Sequence, residues 1–281
     1  YARAAAAALR VPLQVVPLLT QDLQADLPRL LATQEEPFGD LSIWAQYRLL
    51  HQVRASGVTV MLDGQGGDEL LAGYDHFTMN YYRELLSAHA WGLLGKELLA
   101  KFIRSVGAAD VVFARMCFSY LRRMITAAAV VPQRRGAAGV ATERHGLHAI
   151  LHRSMEQDSL PQLLRYADKN AMASSVEVRV PFLDHRLVEL CASLAGSWLI
   201  RNGENKYLLR RAMTGLMPRQ IVCRQTKRGF FSAAAVLPPI APERAEYLRR
   251  QLQLDGTVLP VRGADWRWWC LNAWHNALCS I

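Results

Sequence analysis

Val58-Thr59-Val60-Met61-Leu62 leads straight into Asp63-Gly64-Gln65-Gly66-Gly67-Asp68-Glu69. The first five residues form a nearly continuous apolar, β-branched run of strand length. With no polar face, it predicts an interior parallel strand covered on both sides. In open α/β sheets ligands gather at the carboxyl ends of the strands, so a ligand is expected at the glycine turn after Leu62. Gly64, Gly66 and Gly67 carry no Cβ to keep a ligand from the backbone, and they permit positive φ, so that successive amides can converge on a phosphate or ribose. Asp68 and Glu69 are expected in the first turn of the next helix, where the dipole favours carboxylates and a hard cation finds oxygen ligands. A magnesium nucleotide satisfies both features. An ordinary strand-to-helix turn would use the same residue types, so the motif alone does not decide.

Upstream, Leu13–Leu18 is a short apolar run broken by Pro12 and Pro17 and is expected as a strand at or near a sheet edge. Ala4–Leu9 reads as the tail of a helix. Leu23, Leu27, Leu30 and Leu31 recur at helical spacing, as do Ile43, Trp44, Tyr47, Leu50 and Val53, the latter set opening after Asp40 as a cap and closing at Gly57. Beyond Glu69 the pattern is helical almost to the end, with turn signals at Gly136, Pro161, Gly203, Pro218 and Pro238-Pro239. The expected fold is α/β: at least two strands first, then a mostly α-helical body.

Composition narrows the class. The 281 residues are 51% hydrophobic and 20% charged, which suits a packed fold and argues against long disorder. The sequence lacks the roughly eighteen-residue apolar stretch that a membrane-spanning helix requires. Its five cysteines are scattered without a Cys-x-x-Cys spacing, which fits a reducing cytoplasm. The net charge of +9 comes from arginines spread along the chain, so a solvated basic surface is preferred to nucleic-acid binding.

Two further stretches carry clustered chemistry. Arg165–Leu190 reads RYADKNAMASSVEVRVPFLDHRLVEL, with Asp168, Glu177, Arg179 and Asp184 around an apolar segment broken by Pro181. Taken alone, these charges would pair with one another on a helix and a loop. Farther on, Glu204, Lys206 and Arg210 in GENKYLLR precede Lys227 and Gly229 in RQTKRGF, and cations of this kind stabilise transferring phosphoryl groups. Lys206 and Arg210, four apart, also suit one exposed helix face. His145, His148 and His152, with Glu143, have a spacing that suits a metal, but Gly146 and the neighbouring arginines favour a surface or packing role. Trp266, Trp268, Trp269 and Trp274 read as core rather than as a stacking platform.

Together the motifs point to one family. Val60–Tyr74, VMLDGQGGDELLAGY, resembles the turn of glutamine-hydrolysing asparagine synthetases, whose usual form is Ser-Gly-Glu-Gly-x-Asp-Glu, an apolar pair and Gly-Gly-Tyr. The 165–190 stretch is similar to the family's Asp-x-x-x-Met-Ala helix followed by Val-Glu-x-Arg-x-Pro-Phe-Leu-Asp, and the Lys227 segment resembles its Lys-x-Gly-Phe. The resemblance implies a partial parallel sheet of the adenine-nucleotide α-hydrolase (PP-loop) type, with ATP and Mg2+ as cofactors. It implies that Asp63, Gly64, Gln65 and Gly66 contact ATP and that Asp68 binds magnesium. Glu177 and Arg179 would then meet the acceptor carboxylate, with Lys227, Glu177 and Gln65 at the chemistry. Asp63 replaces the usual serine and Gln65 the usual glutamate, and Gln65 can hydrogen-bond but cannot act as a carboxylate base.

The activity implied is amidation of a carboxylate, aspartate first, through an acyl-adenylate with release of AMP and pyrophosphate. Ammonia would come from glutamine through a glutaminase domain or subunit, and the resemblance leaves room for a homodimer. The family's Ser-Gly-Gly-x-Asp-Ser pyrophosphate loop and glutaminase domain are not found in residues 1–281. The expectation is therefore one N-terminally incomplete synthetase domain that is inactive in isolation. Gln65 keeps open a ring-closing relative of the β-lactam synthetase or lasso-peptide cyclase type, and the missing loop keeps open a non-catalytic scaffold.

Overall fold

The computed structural model describes residues 1–38, 40–107, 146–224, 241–252 and 266–278. In chain order the elements are α1 (Ala2–Leu9), α2 (Thr20–Gln34), α3 (Ser42–Ala55), β1 (Val60–Leu62), α4 (Gly67–Leu70), α5 (Asp75–Ser87) and α6 (Trp91–Gly107). There follow α7 (Leu147–Glu156), α8 (Ser159–Ala173), β2 (Glu177–Arg179), a 3-10 turn (Pro181–Leu183), α9 (His185–Ser193) and α10 (Gly196–Leu199). The last are α11 (Tyr207–Ala212), α12 (Arg219–Val222), α13 (Pro242–Gln251) and α14 (Trp266–Leu278). This is a mostly helical α/β protein with a small parallel sheet of two strands. The chain divides into two compact units, one of Tyr1–Leu13, Gly64–Pro161 and Val180–Thr226, the other of Gln14–Asp63, Gln162–Arg179 and Lys227–Ile281.

In the second unit the leucines predicted to share a helix face do so: Leu23, Leu27, Leu30 and Leu31 of α2 are buried against Ile43, Trp44 and Tyr47 of α3. Trp44 is fully buried, and its Nε1 donates to Asp26 at 2.9 Å, so the indole is covered without losing its hydrogen bond. Arg48 bridges Asp22 and Asp26. Asp40 accepts from the Ser42 amide at 2.6 Å, and Gly57 closes α3 at φ +80°. Trp274 of α14 packs on this cluster, whereas the side chains of Trp266, Trp268 and Trp269 lie outside the described residues.

The strand after Gly57 is shorter and more open than its composition predicts. Only Val60–Leu62 is strand; Met61 and Val178 pack on Leu50, Ala171 and Val176, while Val60 and Leu62 stay 42% and 69% exposed. Among the described residues β1 pairs with β2 alone. Leu13–Leu18 is likewise not a strand. Pro17 removes an amide donor from it, Pro12 another just before it, and among the described residues it has no strand partner. The second strand comes instead at Glu177–Arg179, within what the sequence reads as a helical body.

Asn170 of α8 ties this unit together. Fully buried, it accepts from Gln34 Nε2 of α2 at 2.7 Å and donates to the Ile43 carbonyl and Gln46 Oε1 of α3, at 3.0 and 3.1 Å.

In the first unit Leu70, Leu71, Phe77, Tyr81, Leu85, Leu147, Leu151, Leu199 and Ile200 form the core. Glu97 of α6 is buried there and caps the Asn202 and Gly203 amides at 2.9 and 2.8 Å. Pro161, read as a turn signal, lies in the first turn of α8, where no intrahelical partner awaits its missing amide hydrogen. Among the described residues no helix is long and apolar enough to cross a membrane.

Two predictions follow from this packing. Asn170→Ala removes three hydrogen bonds at a fully buried position, leaving Gln34 Nε2 its longer 3.4 Å bond to the Tyr166 carbonyl, and should cost about 2 kcal/mol in urea unfolding. Burial pushes the Cys270 thiol up to about 12 and raises that of Cys191, whereas Cys223 is exposed. Since the thiolate is the nucleophile, site-resolved alkylation at pH 8 should modify Cys223 first and the two buried thiols only as the chain unfolds.

Candidate active site

β1 and β2 run parallel with Val60 opposite Glu177, Met61 opposite Val178 and Leu62 opposite Arg179. The ladder continues where the Asp63 amide donates to the Arg179 carbonyl at 2.8 Å. The glycine turn and the Val180–Asp184 segment thus leave neighbouring strand ends side by side. In the first unit they then pack together. A Cβ on Gly66, which sits at φ +85°, would fall 2.3 Å from Leu183 Cδ2, and one on Gly67 would fall 3.1 Å from Phe182 Cδ2. Two of the three glycines therefore serve the packing of the 3-10 turn. Gly64 has nothing within 4 Å of its Cβ position and is the one open to an incoming group. Asp63 and Gln65 beside it are half-buried.

Asp68 and Glu69, adjacent in α4, have separate surroundings. Glu69 is 1% exposed and accepts from the Tyr74 hydroxyl at 3.0 Å, with Ser159 Oγ at 3.5 Å. Burial first, and then Glu69, raise the Tyr74 phenol well above its ordinary value, so it stays a donor at neutral pH. Asp68 is half-buried and paired with Lys206, Oδ1 to Nζ 2.9 Å. Lys206 and Arg210, whose spacing also suits one exposed helix face, are both half-buried. Arg210 holds Asn205, donating from Nε to its carbonyl at 2.8 Å and from Nη2 to its side-chain oxygen at 3.3 Å. Asn205 in turn donates to the Gly73 carbonyl at 2.8 Å. Nothing in residue spacing pairs Lys206 with Asp68; the cue available was Gly73, whose Cβ would lie 1.9 Å from Asp68 Oδ1 and 2.4 Å from Lys206 Cε.

In the second unit Glu177 and Arg179, two apart on β2, share its open face and pair with each other, Nε to Oε1 2.7 Å. Both remain more than half exposed, with Val60 and Leu62 beside them on β1. Lys227 and Gly229 lie outside the described residues, as do His145 and Glu143. His152 pairs with Glu156 one helical turn on, at 3.1 Å. Among the described residues no group of three or more His, Cys, Asp or Glu side chains could hold a metal ion. A magnesium ion that keeps its waters and borrows nucleotide phosphates needs only one or two carboxylates. Asp68 fits that role by its oxygen chemistry and partial exposure, whereas Glu69, enclosed with Tyr74 and Ser159, does not.

A glycine turn at a parallel strand end, followed at once by a partly exposed carboxylate, defines an α/β protein with a polar site at its strand ends. The family model for asparagine synthase matches residues 1–258, and the chain belongs to that family. It is 26% identical over 239 residues to asparagine synthetase [glutamine-hydrolyzing] 1 of Bacillus subtilis, covering 75% of this chain and 36% of that protein. It is 28% identical over 239 residues to a putative asparagine synthetase [glutamine-hydrolyzing] of Mycobacterium tuberculosis, covering 73% and 34%. An amidase, chyE, of Penicillium rubens is 24% identical over 256 residues, covering 75% and 38%. The chain thus spans little more than a third of the length of these relatives.

The two kinds of glycine separate by substitution. Gly66→Ala forces a left-handed alanine into Leu183 and should cost about 2 kcal/mol or more in urea unfolding. Gly64→Ala, with open space around it, should leave the urea midpoint unchanged.

Proposed function

We propose that this chain supplies the amide-forming domain of an ATP-dependent amidotransferase, with a sheet of the adenine-nucleotide α-hydrolase type and aspartate as its first-choice acceptor. The observation that carries the reading is the parallel register. In it β1, which runs directly into the glycine turn in sequence, pairs with β2, which carries the Glu177–Arg179 pair, and this supports reading both motifs as parts of one amide-forming domain. The names of the Bacillus and Mycobacterium relatives favour amidation over ring closure or a non-catalytic scaffold.

In this reading the backbone around Gly64 approaches ATP, with Asp63, Gln65 and Gly66 contributing to the same turn. Asp68 is the protein ligand of the magnesium that accompanies the nucleotide, and the ion supplies charge neutralisation on the phosphates. Arg179 orients the acceptor carboxylate, and Glu177 holds Arg179 and faces the amine. A carboxylate oxygen of the acceptor attacks the α-phosphorus; the bond to the β-phosphate oxygen breaks and pyrophosphate leaves. Ammonia then attacks the acyl carbon, AMP departs with the bonding electrons, and the nitrogen loses a proton. Lys227 offsets the negative charge that develops in both steps. Ammonia is delivered by a glutaminase domain or subunit acting on glutamine. Gln65, an amide where the family carries a carboxylate, can orient the acyl group but cannot take the proton that the attacking nitrogen loses, which passes to the departing phosphate or to water.

The test is exchange of labelled pyrophosphate into ATP by the intact gene product, with aspartate and other carboxylates as acceptors. Carboxylate-dependent exchange that falls about a hundredfold or more in Asp68→Ala and in Lys227→Ala is expected. Exchange independent of any carboxylate, or undiminished in both variants, would sink the reading.

A further inference from the structure

We propose that Lys206 is the resident counter-ion of Asp68, a positioning residue that occupies the carboxylate until a divalent cation takes its place. The proposal rests on the reading of Asp68 as the magnesium-binding carboxylate. Four features deliver this ammonium to this oxygen. The pair is close, at 2.9 Å, and its side chains are only 27% and 30% exposed, which sets it apart from a loose surface pair. Lys206 takes a left-handed backbone, φ 52°, at the residue before α11, and its amide donates to the Leu71 carbonyl at 3.2 Å. Gly73 lies under both side chains, and its amide donates to the Asp68 carbonyl at 2.7 Å. Asn205, held by Arg210, fixes the Gly73 carbonyl from the other side. A lysine at a helix N-terminus is disfavoured by the dipole, and a non-glycine residue at positive φ is strained. The chain keeps both features at one residue and points it at Asp68.

The electrostatic reason is direct. A half-buried carboxylate without a partner is costly, so a site that must be empty between turnovers benefits from an internal cation. That cation also competes: a divalent ion approaching the same oxygen meets a positive charge and must displace it. Lys206 therefore keeps Asp68 ordered and lowers its affinity for the free ion. A nucleotide, whose phosphates can receive the released ammonium, would offset that loss and couple ion uptake to nucleotide arrival.

The test uses Mn2+ as probe on the full chain, with the free ion followed by paramagnetic resonance and folding checked by circular dichroism. Lys206→Met and Lys206→Gln should bind Mn2+ in the absence of nucleotide more tightly than wild type, by up to about fivefold, the size of effect a partly exposed ion pair supports. Lys206→Arg should stay near wild type. Asp68→Asn in the Lys206→Met background should abolish the gain. Equal or weaker Mn2+ binding by both neutral variants overturns the counter-ion role, as does a loss of thermal stability unaccompanied by any change in Mn2+ affinity. Mn2+ binding that tightens on loss of Lys206 but survives Asp68→Asn would instead place the ion elsewhere, and it is then the assignment of Asp68 that falls.

Discussion

The parallel pairing of Val60–Leu62 with Glu177–Arg179 joins two segments remote in sequence, and the backbone bonds that extend it, Glu177 N to Thr59 O and Asp63 N to Arg179 O, fix its register. Parallel strands cannot be closed by a tight turn and need a long crossover. Here the crossover holds α4 to α8, so the short ladder decides where a large part of the chain begins and ends. Register matters because side chains alternate. A slip of one residue would turn Val178 outward and drive Glu177 or Arg179 onto Leu50, Ala171 and Val176. Burying either charge there without a partner would cost far more than the few backbone bonds return, so the apolar cluster beneath the strands enforces the placement of the polar pair above them.

The glycine turn shows how one motif can answer two demands. Its glycines look alike in sequence, yet Gly66 and Gly67 make room for Leu183 and Phe182, and Gly64 leaves room for something outside the fold. The two acids that follow divide in the same way. Glu69 faces the core and is held by Tyr74 and Ser159, while Asp68, one residue earlier in the helix, is partly exposed and paired with Lys206. Four-residue α4 could not hold this arrangement alone; α7 and the 3-10 turn pack against it and fix its pose.

Much of this was legible in the sequence because periodicity reports burial directly. The leucines of α2, the aromatic face of α3 and the strand character of Val60–Leu62 all follow from spacing. What spacing could not show depends on partners distant in the chain. Leu13–Leu18 has strand composition, but a strand exists only when another offers it hydrogen bonds. Leu62 is apolar, yet its burial depends on what lies over the sheet, and it is 69% exposed. Gly64 to Asp68 and Glu177 to Arg179 stand in motifs, so spacing alone singles them out as candidates. Lys206 was underweighted because its partner lies far away, on α4.

Backbone strain distinguishes Lys206 further. Among the described residues seven that are not glycine adopt positive φ, and five of them, Arg10, Glu35, Ala72, His89 and Ser175, stand just past the end of a helix. There a left-handed residue satisfies the last carbonyls, and the conformation needs no other explanation. Asn202 lies in the tight turn between Arg201 and Glu204, and asparagine tolerates that geometry. Lys206 alone of the seven stands immediately before a helix, at the cap position where an extended serine, threonine or aspartate would cap the amides better. Neither helix propensity nor capping accounts for a left-handed lysine there. The interactions that hold it are those that converge on Gly73 and Asp68, so the strain is retained by the same contacts that carry its ammonium to the carboxylate.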